Sequence, residues 1–262
     1  MKKASVLIII LVFVGNLFSQ DIHVSDKMWS KRVVRAIDLR EAQNQPLYAK
    51  GNELPKLLID ALMDGKLTPY FSDSLSKESI VSEEEYMAAM TIPSNFVEED
   101  TSYMTPDEII SYLEAKEEAQ SNYYFPRDLY QLELTEDIVF DKHHSVLERK
   151  IVAISVFVPA DHYENIKGIQ LPVATFDYKE CQRLFENEPV AAIWFNQNND
   201  SAHLNLADAF ELRLFSSYLI KVSNPNNDYI VDKYGGDPYM GITGSQIEEM
   251  QLMEFEHNLW EN

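Results

Sequence analysis

The sequence predicts an α+β protein in which an N-terminal helical part packs on a largely antiparallel sheet and a helix closes the C-terminal end. Three observations carry this expectation. Capping boxes recur at Ser82, Thr105 and Ser245, each a hydroxyl residue followed three places later by Glu, which is the pattern that opens a helix. Past Ser121 the pattern changes to alternation and short apolar runs suited to strands. Two of those runs are separated only by Asp141-Lys142-His143-His144-Ser145, a polar turn that suits an antiparallel pair.

Taken in order, the chain opens on Met1-Lys2-Lys3, an apolar stretch from Val6 to Val14, and Leu17-Phe18-Ser19 before Gln20. That is the order of a secretory signal, with cleavage expected after Ser19 and an uncleaved anchor as the alternative. The stretch is shorter than the roughly 20 residues a membrane-spanning helix needs. The expected organisation is thus a signal at 1–19, a mostly helical part at 20–120 and a β-rich α+β part at 121–262, the last two compatible with one continuous domain.

Lys31 to Leu39 alternates with Val33, Arg35, Ile37 and Leu39 on one face. Its interleaved basic residues predict an edge strand. Leu54, Leu58, Ala61 and Leu62 share one face of a helix that Pro55 suits at its start and Gly65 at its end. Between the helices opened at Ser82 and Thr105, the segment Ile92 to Ser102 reads as a loop, with the acids Glu98, Glu99 and Asp100 in a row.

Leu132 and Leu134 alternate and lead into Ile138 to Phe140, and Ile151 to Val158 is apolar enough to be covered on both faces. Asp177 opens a short helix with Tyr178, Cys181, Leu184 and Phe185 inward. Val190 to Phe195 reads as a strand, Asn205 to Ala209 as one helical turn, and Phe210 to Val222 as a further strand that Tyr229 to Val231 rejoins as a hairpin. Last, Ser245 opens a Met-rich helix with Ile247, Met250, Met253 and Leu259 or Trp260 inward.

The chain carries 22 Lys and Arg against 43 Asp and Glu, a net charge of -21, which repels nucleic acid and anionic lipid; the charge reads first as solubility, with attraction to a basic partner surface or to divalent cations as the sharper alternative. Cys181 is the one cysteine and lies far from the expected cleavage point, so neither a lipid anchor of its own nor an internal disulfide is expected.

Catalytic patterns are sparse. His143, His144, Asp141 and His162 are the best metal candidates, but neighbours on a strand point to opposite faces, and a solvated turn is the better reading. Asn196, Asn198 and Asp200 have the spacing of the first ligands of a calcium loop without its Gly at the sixth place or its Glu at the twelfth. The Gly235-Gly236-Asp237 and Gly241-Ile242-Thr243-Gly244 segments lack the lysine of a phosphate loop and read as turns. No nucleophile elbow is present, and Cys181 sits on the inward stripe of its helix. Neither a catalytic residue nor a cofactor or metal site is expected.

What remains is aromatic residues beside basic ones, a composition favoured at protein interfaces, with packing into the core as the equal alternative for each cluster taken singly. Trp29 stands near Lys31, Arg32 and Arg35, and Tyr124 near Arg127; these six are the candidate interface residues. The blocks Trp29 to Glu41, Tyr124 to Asp128, Val173 to Phe176, and Asn205 to Tyr218 running on to Ser223-Asn224-Pro225 resemble the gliding-motility GldN/PorN family of Bacteroidota.

The resemblance implies a periplasmic component of the type IX secretion system that self-associates into a ring. Its implied partners are an outer-membrane lipoprotein, which would hold it peripherally at that membrane, and the periplasmic region of the inner-membrane motor protein. It implies no catalytic motif. The competing readings are a periplasmic glycan or peptidoglycan hydrolase and a soluble ligand-binding protein.

Overall fold

A computed structural model describes residues 27–92, 109 and 123–260. Five strands form the central sheet: β1 (Lys27–Asp38), β2 (Gln131–Asp141), β3 (Val146–Val158), β4 (Leu171–Asp177) and β5 (Tyr218–Val222). Their spatial order is β4-β3-β2-β1-β5, and every neighbouring pair runs antiparallel. The α+β expectation holds, with helices against an antiparallel sheet and a C-terminal helix.

β1 is not an edge strand. It lies between β2 and β5, paired with β5 over Val33 to Ala36, because two of its basic residues are each given a carboxylate: Arg32 by Asp137 and Arg35 by Glu249. The true edges are β5 and β4. β4, which the sequence pattern did not single out as a strand, has its edge partly closed by Tyr70, whose N–H and C=O exchange bonds of 2.8 and 2.9 Å with Thr175. Such closure blunts an edge that would otherwise template pairing.

The β2–β3 hairpin turns where expected. The Asp141 carboxylate accepts the backbone N–H of His143 and His144 at 2.7 and 3.2 Å, and Ser145 takes the left-handed φ of 53° that closes the turn.

Strand alternation gives the sheet two unlike faces. Ile37, Leu132, Val156 and Ala174 stand in register across it, as do Leu134, Ile154 and Phe176; all are buried in the main core. Onto this face pack α1 (Leu54–Met63), α3 (Tyr178–Asn187) and α4 (Leu206–Glu211), through Leu58, Phe185 and Phe210 among others. The opposite face presents Glu133, Ser155 and Thr175 in register, with a 2.8 Å hydroxyl–hydroxyl bond between the last two.

The helices of the first half form for the reasons the sequence states. Pro55 starts α1, and Gly65, at a φ of 68°, follows its end. α2 (Glu83–Met90) is capped reciprocally, the Glu85 carboxylate accepting the Ser82 N–H at 2.8 Å. Asp177 caps α3, whose buried residues Cys181, Leu184 and Phe185 are the expected stripe. The helix predicted at Thr105 and the acidic segment Glu98 to Asp100 lie outside the described residues.

The C-terminal third departs from expectation. Of Val190 to Phe195 only Ile193–Trp194 is extended, paired with Leu204–Asn205, because the chain first turns, with Ala191 and Ala192 donating back to the Glu188 carbonyl. Phe210 belongs to α4, which Asn205 caps. Arg213 then turns the chain at a φ of 55°, so the strand begins only at Tyr218. Tyr229 does not return as a hairpin but precedes the short helix α5 (Ile230–Lys233).

Ser245 is not a helix start either. It lies inside α6, a 23-residue helix from Pro238 to Trp260, and its hydroxyl donates to the Leu219 carbonyl of β5 at 2.6 Å. Gly235 and Gly236 do turn, with φ of 91° and 77°, but Gly241 and Gly244 are helical. The Met stripe expected inward faces out, with Ile247, Met250 and Met253 exposed. The inward side is Gly241, Gly244, Ser245, Glu248 and the half-buried Leu252.

Candidate protein interface

The six candidate residues divide between places in the fold. Trp29, Lys31 and Arg35 alternate along β1 on the face that meets α6. The Trp29 ring packs on Phe255 with centroids 4.7 Å apart and against a small core built from Val33, Ile138, Leu219, Val222 and Ile230. Arg35 is buried, donating to the Ser217 hydroxyl at 2.9 Å and to Glu249 of α6 at 2.5 Å. Lys31 borders a small cavity shared with Lys233 and Glu248.

Arg32 points to the opposite face and binds Asp137 through two bonds, of 2.7 and 2.9 Å. The bond to Asp137 holds its guanidinium pKa above the usual value, and the fork geometry of this pair is the strong form of the contact. Tyr124 is buried in the main core, its hydroxyl donating to the Glu164 carbonyl at 3.3 Å and its ring edge-on to His162. Arg127 follows in a short 310 turn, Pro126–Asp128. Its side chain is exposed, while its carbonyl accepts the Tyr48 hydroxyl.

Trp29, Arg32, Arg35 and Tyr124 thus make contacts within the chain, whereas Arg127 is exposed, with Asp128 at 4.0 Å as a loose ion-pair partner. The block extends to Arg40, which bonds Asp38 and Asp161 and lies 3.8 Å over the Tyr130 ring.

The remaining chemistry resolves into scaffold. The Asp141 carboxylate, held below its usual pKa first by its bond to His144, organises the hairpin turn, and His162 lies apart, packed on Tyr124 and Tyr163. Among the described residues no three His, Cys, Asp or Glu side chains converge as a metal site would require. Asn196 and Asn199 accept the backbone N–H groups of Asn198 and Ser201 at 3.0 Å each, so their carbonyls shape a turn. Burial pushes the Cys181 thiol pKa well up, which holds it as an unreactive thiol.

The buried Glu136 is matched by a cation. Glu136 receives Arg213, with Nη1 at 2.7 Å from Oε1 and Nη2 donating to Oε2 at 3.1 Å; the first contact is too oblique to count as a hydrogen bond but is still an ion pair. Sequence inspection missed a groove of about 620 Å³ where β5, α5 and α6 meet, lined by Tyr218, Val231 and Ile242 among others. Its signal was the spacing of apolar residues along α6.

These features define a class: an α+β protein whose polar clusters serve its own scaffold and whose surface leaves apolar residues in the open. The family model of the gliding motility associated protein GldN matches residues 22–261, and the chain belongs to that family. It is therefore a protein associated with gliding motility and type IX secretion. No curated protein matches the chain.

Proposed function

We propose that this chain is a non-enzymatic structural subunit of the type IX secretion and gliding apparatus, exported to the periplasm. Side-by-side copies close a ring through heterologous contacts. A lipoprotein partner holds that ring at the outer membrane, and the inner-membrane motor protein acts on it from below. The observation that carries the reading is the family match, which spans the chain from residue 22 to residue 261. The hairpin, turn and core roles found for the histidines, the Asn-rich turn and Cys181 support it, since each has a structural task.

The test is affinity purification of the C-terminally tagged chain from detergent-solubilised envelopes, with partners identified by mass spectrometry and particles viewed by negative stain. Recovery of a lipoprotein together with ring-shaped particles is expected. Recovery of the chain alone and monodisperse, in cells that secrete normally, would overturn the proposal. Arg127→Glu reverses an exposed charge at the candidate interface without touching the core. It is expected to lower lipoprotein recovery several-fold, on the scale of a rim charge at an interface.

A further inference from the structure

Helix α6 has two distinct sides: its own chain covers one of small and mixed residues and leaves an apolar stripe on the other. Gly241, Gly244, Ser245, Glu248 and Leu252 fall on one side at the helical repeat, and there α6 meets α5 and β5. Tyr239, Ile242, Gln246, Met250 and Met253 fall within an arc of about 80° on the other side, at the three- and four-residue steps of a helix–helix seam. Tyr239, Ile242, Met250 and Met253 are 82, 61, 64 and 52% exposed. Beyond Ile242 the apolar surface runs into the 620 Å³ groove against β5 and α5. Exposed apolar residues aligned in this way, with Gln246 between Ile242 and Met250, mark an interaction site, and methionines adapt their shape to a helical ligand.

Charge selects the occupant. α6 has four Glu and no Lys or Arg. Glu248, Glu249 and Glu256 pair with Lys233, Arg35 and Arg149 of the chain's own body. Glu254, one turn from Met250, remains at the seam's margin, and the exposed Asp232 and Asp237 adjoin in sequence the groove residues Val231 and Pro238, Asp237 also accepting the Tyr239 N–H at 3.0 Å. A second copy would bring the same acids on a body of net charge -21 and be repelled, whereas Lys and Arg at the margins of a partner would be attracted. We infer that this seam is the docking site for an amphipathic helix of another protein, apolar at three- and four-residue steps and flanked by Lys and Arg. The inference rests on the reading of the chain as a subunit of a larger assembly.

The test compares the full chain with the double variant Ile242→Glu, Met253→Glu, both positions being exposed and circular dichroism checking the fold. The probe is a fluorescent three-heptad synthetic helix with Leu at the seam positions and Lys beside them, and its twin carries Glu in place of Lys. The Lys helix is expected to bind the wild-type chain, to lose about tenfold or more in affinity on the double variant, and to weaken as salt rises; the Glu helix is expected not to bind. Equal binding of the Lys helix by both chains overturns the site. A concentration-dependent dimer that the variant abolishes, without peptide binding, assigns the seam to a second copy and also overturns it.

In cells, if the double variant secretes normally while deletion of the gene blocks secretion, the seam inference fails and the proposed function stands. If deletion itself leaves secretion intact, the proposed function fails and the peptide experiment still judges the seam.

Discussion

Glu133 and Glu136, three residues apart on β2, face opposite sides of the sheet and meet opposite fates. Glu136, on the core side, has Arg213. Glu133 is only 9% exposed, and burial above all, with Asp73 adding and Lys221 opposing, pushes its pKa up to about 7. A carboxyl group whose folded pKa exceeds its unfolded one weakens the fold once it must ionise. The penalty is absent below about pH 4.5, grows between about 4.5 and 7, and is complete above, to the extent of roughly 3 to 4 kcal/mol. Glu133→Gln is therefore expected to raise the Tm at pH 8 and leave it nearly unchanged at pH 4; equal shifts at both values would show that the carboxylate is not the cause. None of this was legible beforehand. Alternation assigns a residue to a face, but among 43 acids it does not say which face is covered, or by what. The block at Trp29 to Arg35 was legible as interface chemistry, and the structure shows Trp29 and Arg35 turned onto α6.

At the scale of elements, readings held where one signal stood alone and failed where a second fitted equally well. β2, β3, α1 and α3 combine a single period with clear boundaries, and each forms close to where it was expected. The alternation of Phe210, Leu212 and Leu214 also satisfies helical spacing from Leu206 to Phe210, and the Asn205 cap decides for the helix. In α6 the competing signal was glycine. A Cβ at Gly244 would come within 2.5 Å of the Tyr234 ring, and one at Gly241 within 2.5 Å of Val231, so both glycines serve close approach to neighbouring side chains and not a turn. Alanine in a helix interior normally gains about 1 kcal/mol over glycine. Gly244→Ala is nonetheless expected to destabilise by about 1 to 2 kcal/mol in urea unfolding, because a clash with three ring atoms outweighs that gain. Thr243→Ala, on the exposed side of the same turn, should stay within about 0.5 kcal/mol of wild type, and a gain at Gly244 would mean that α6 stands off from Tyr234.

At the scale of the molecule the two ends of the described chain are fastened together. β1 pairs with β5, and α6 closes over both through Ser245 to Leu219, Arg35 to Glu249, and Trp29 on Phe255. A chain closed on itself in this way keeps its local ion pairs and still carries a net charge of -21, with Glu83, Glu84, Asp208 and Glu211 among the described acids that face solvent. Copies set side by side in a ring bring those surfaces within a few ångströms, well inside the screening length of about 30 Å at 0.01 M salt and about 10 Å at 0.1 M. Repulsion between copies then opposes closure unless positive charge is supplied. The isolated chain is accordingly expected to sediment as a monomer in 10 mM salt, and to associate further only when salt near 0.3 M screens the repulsion or a basic partner neutralises it. Sedimentation velocity across that range reads the outcome directly. Rings formed by the chain alone at low salt would mean that the acids lie away from the contacts between copies. A monomer at every salt concentration would mean that the contacts themselves, and not only their neutralisation, come from the partner.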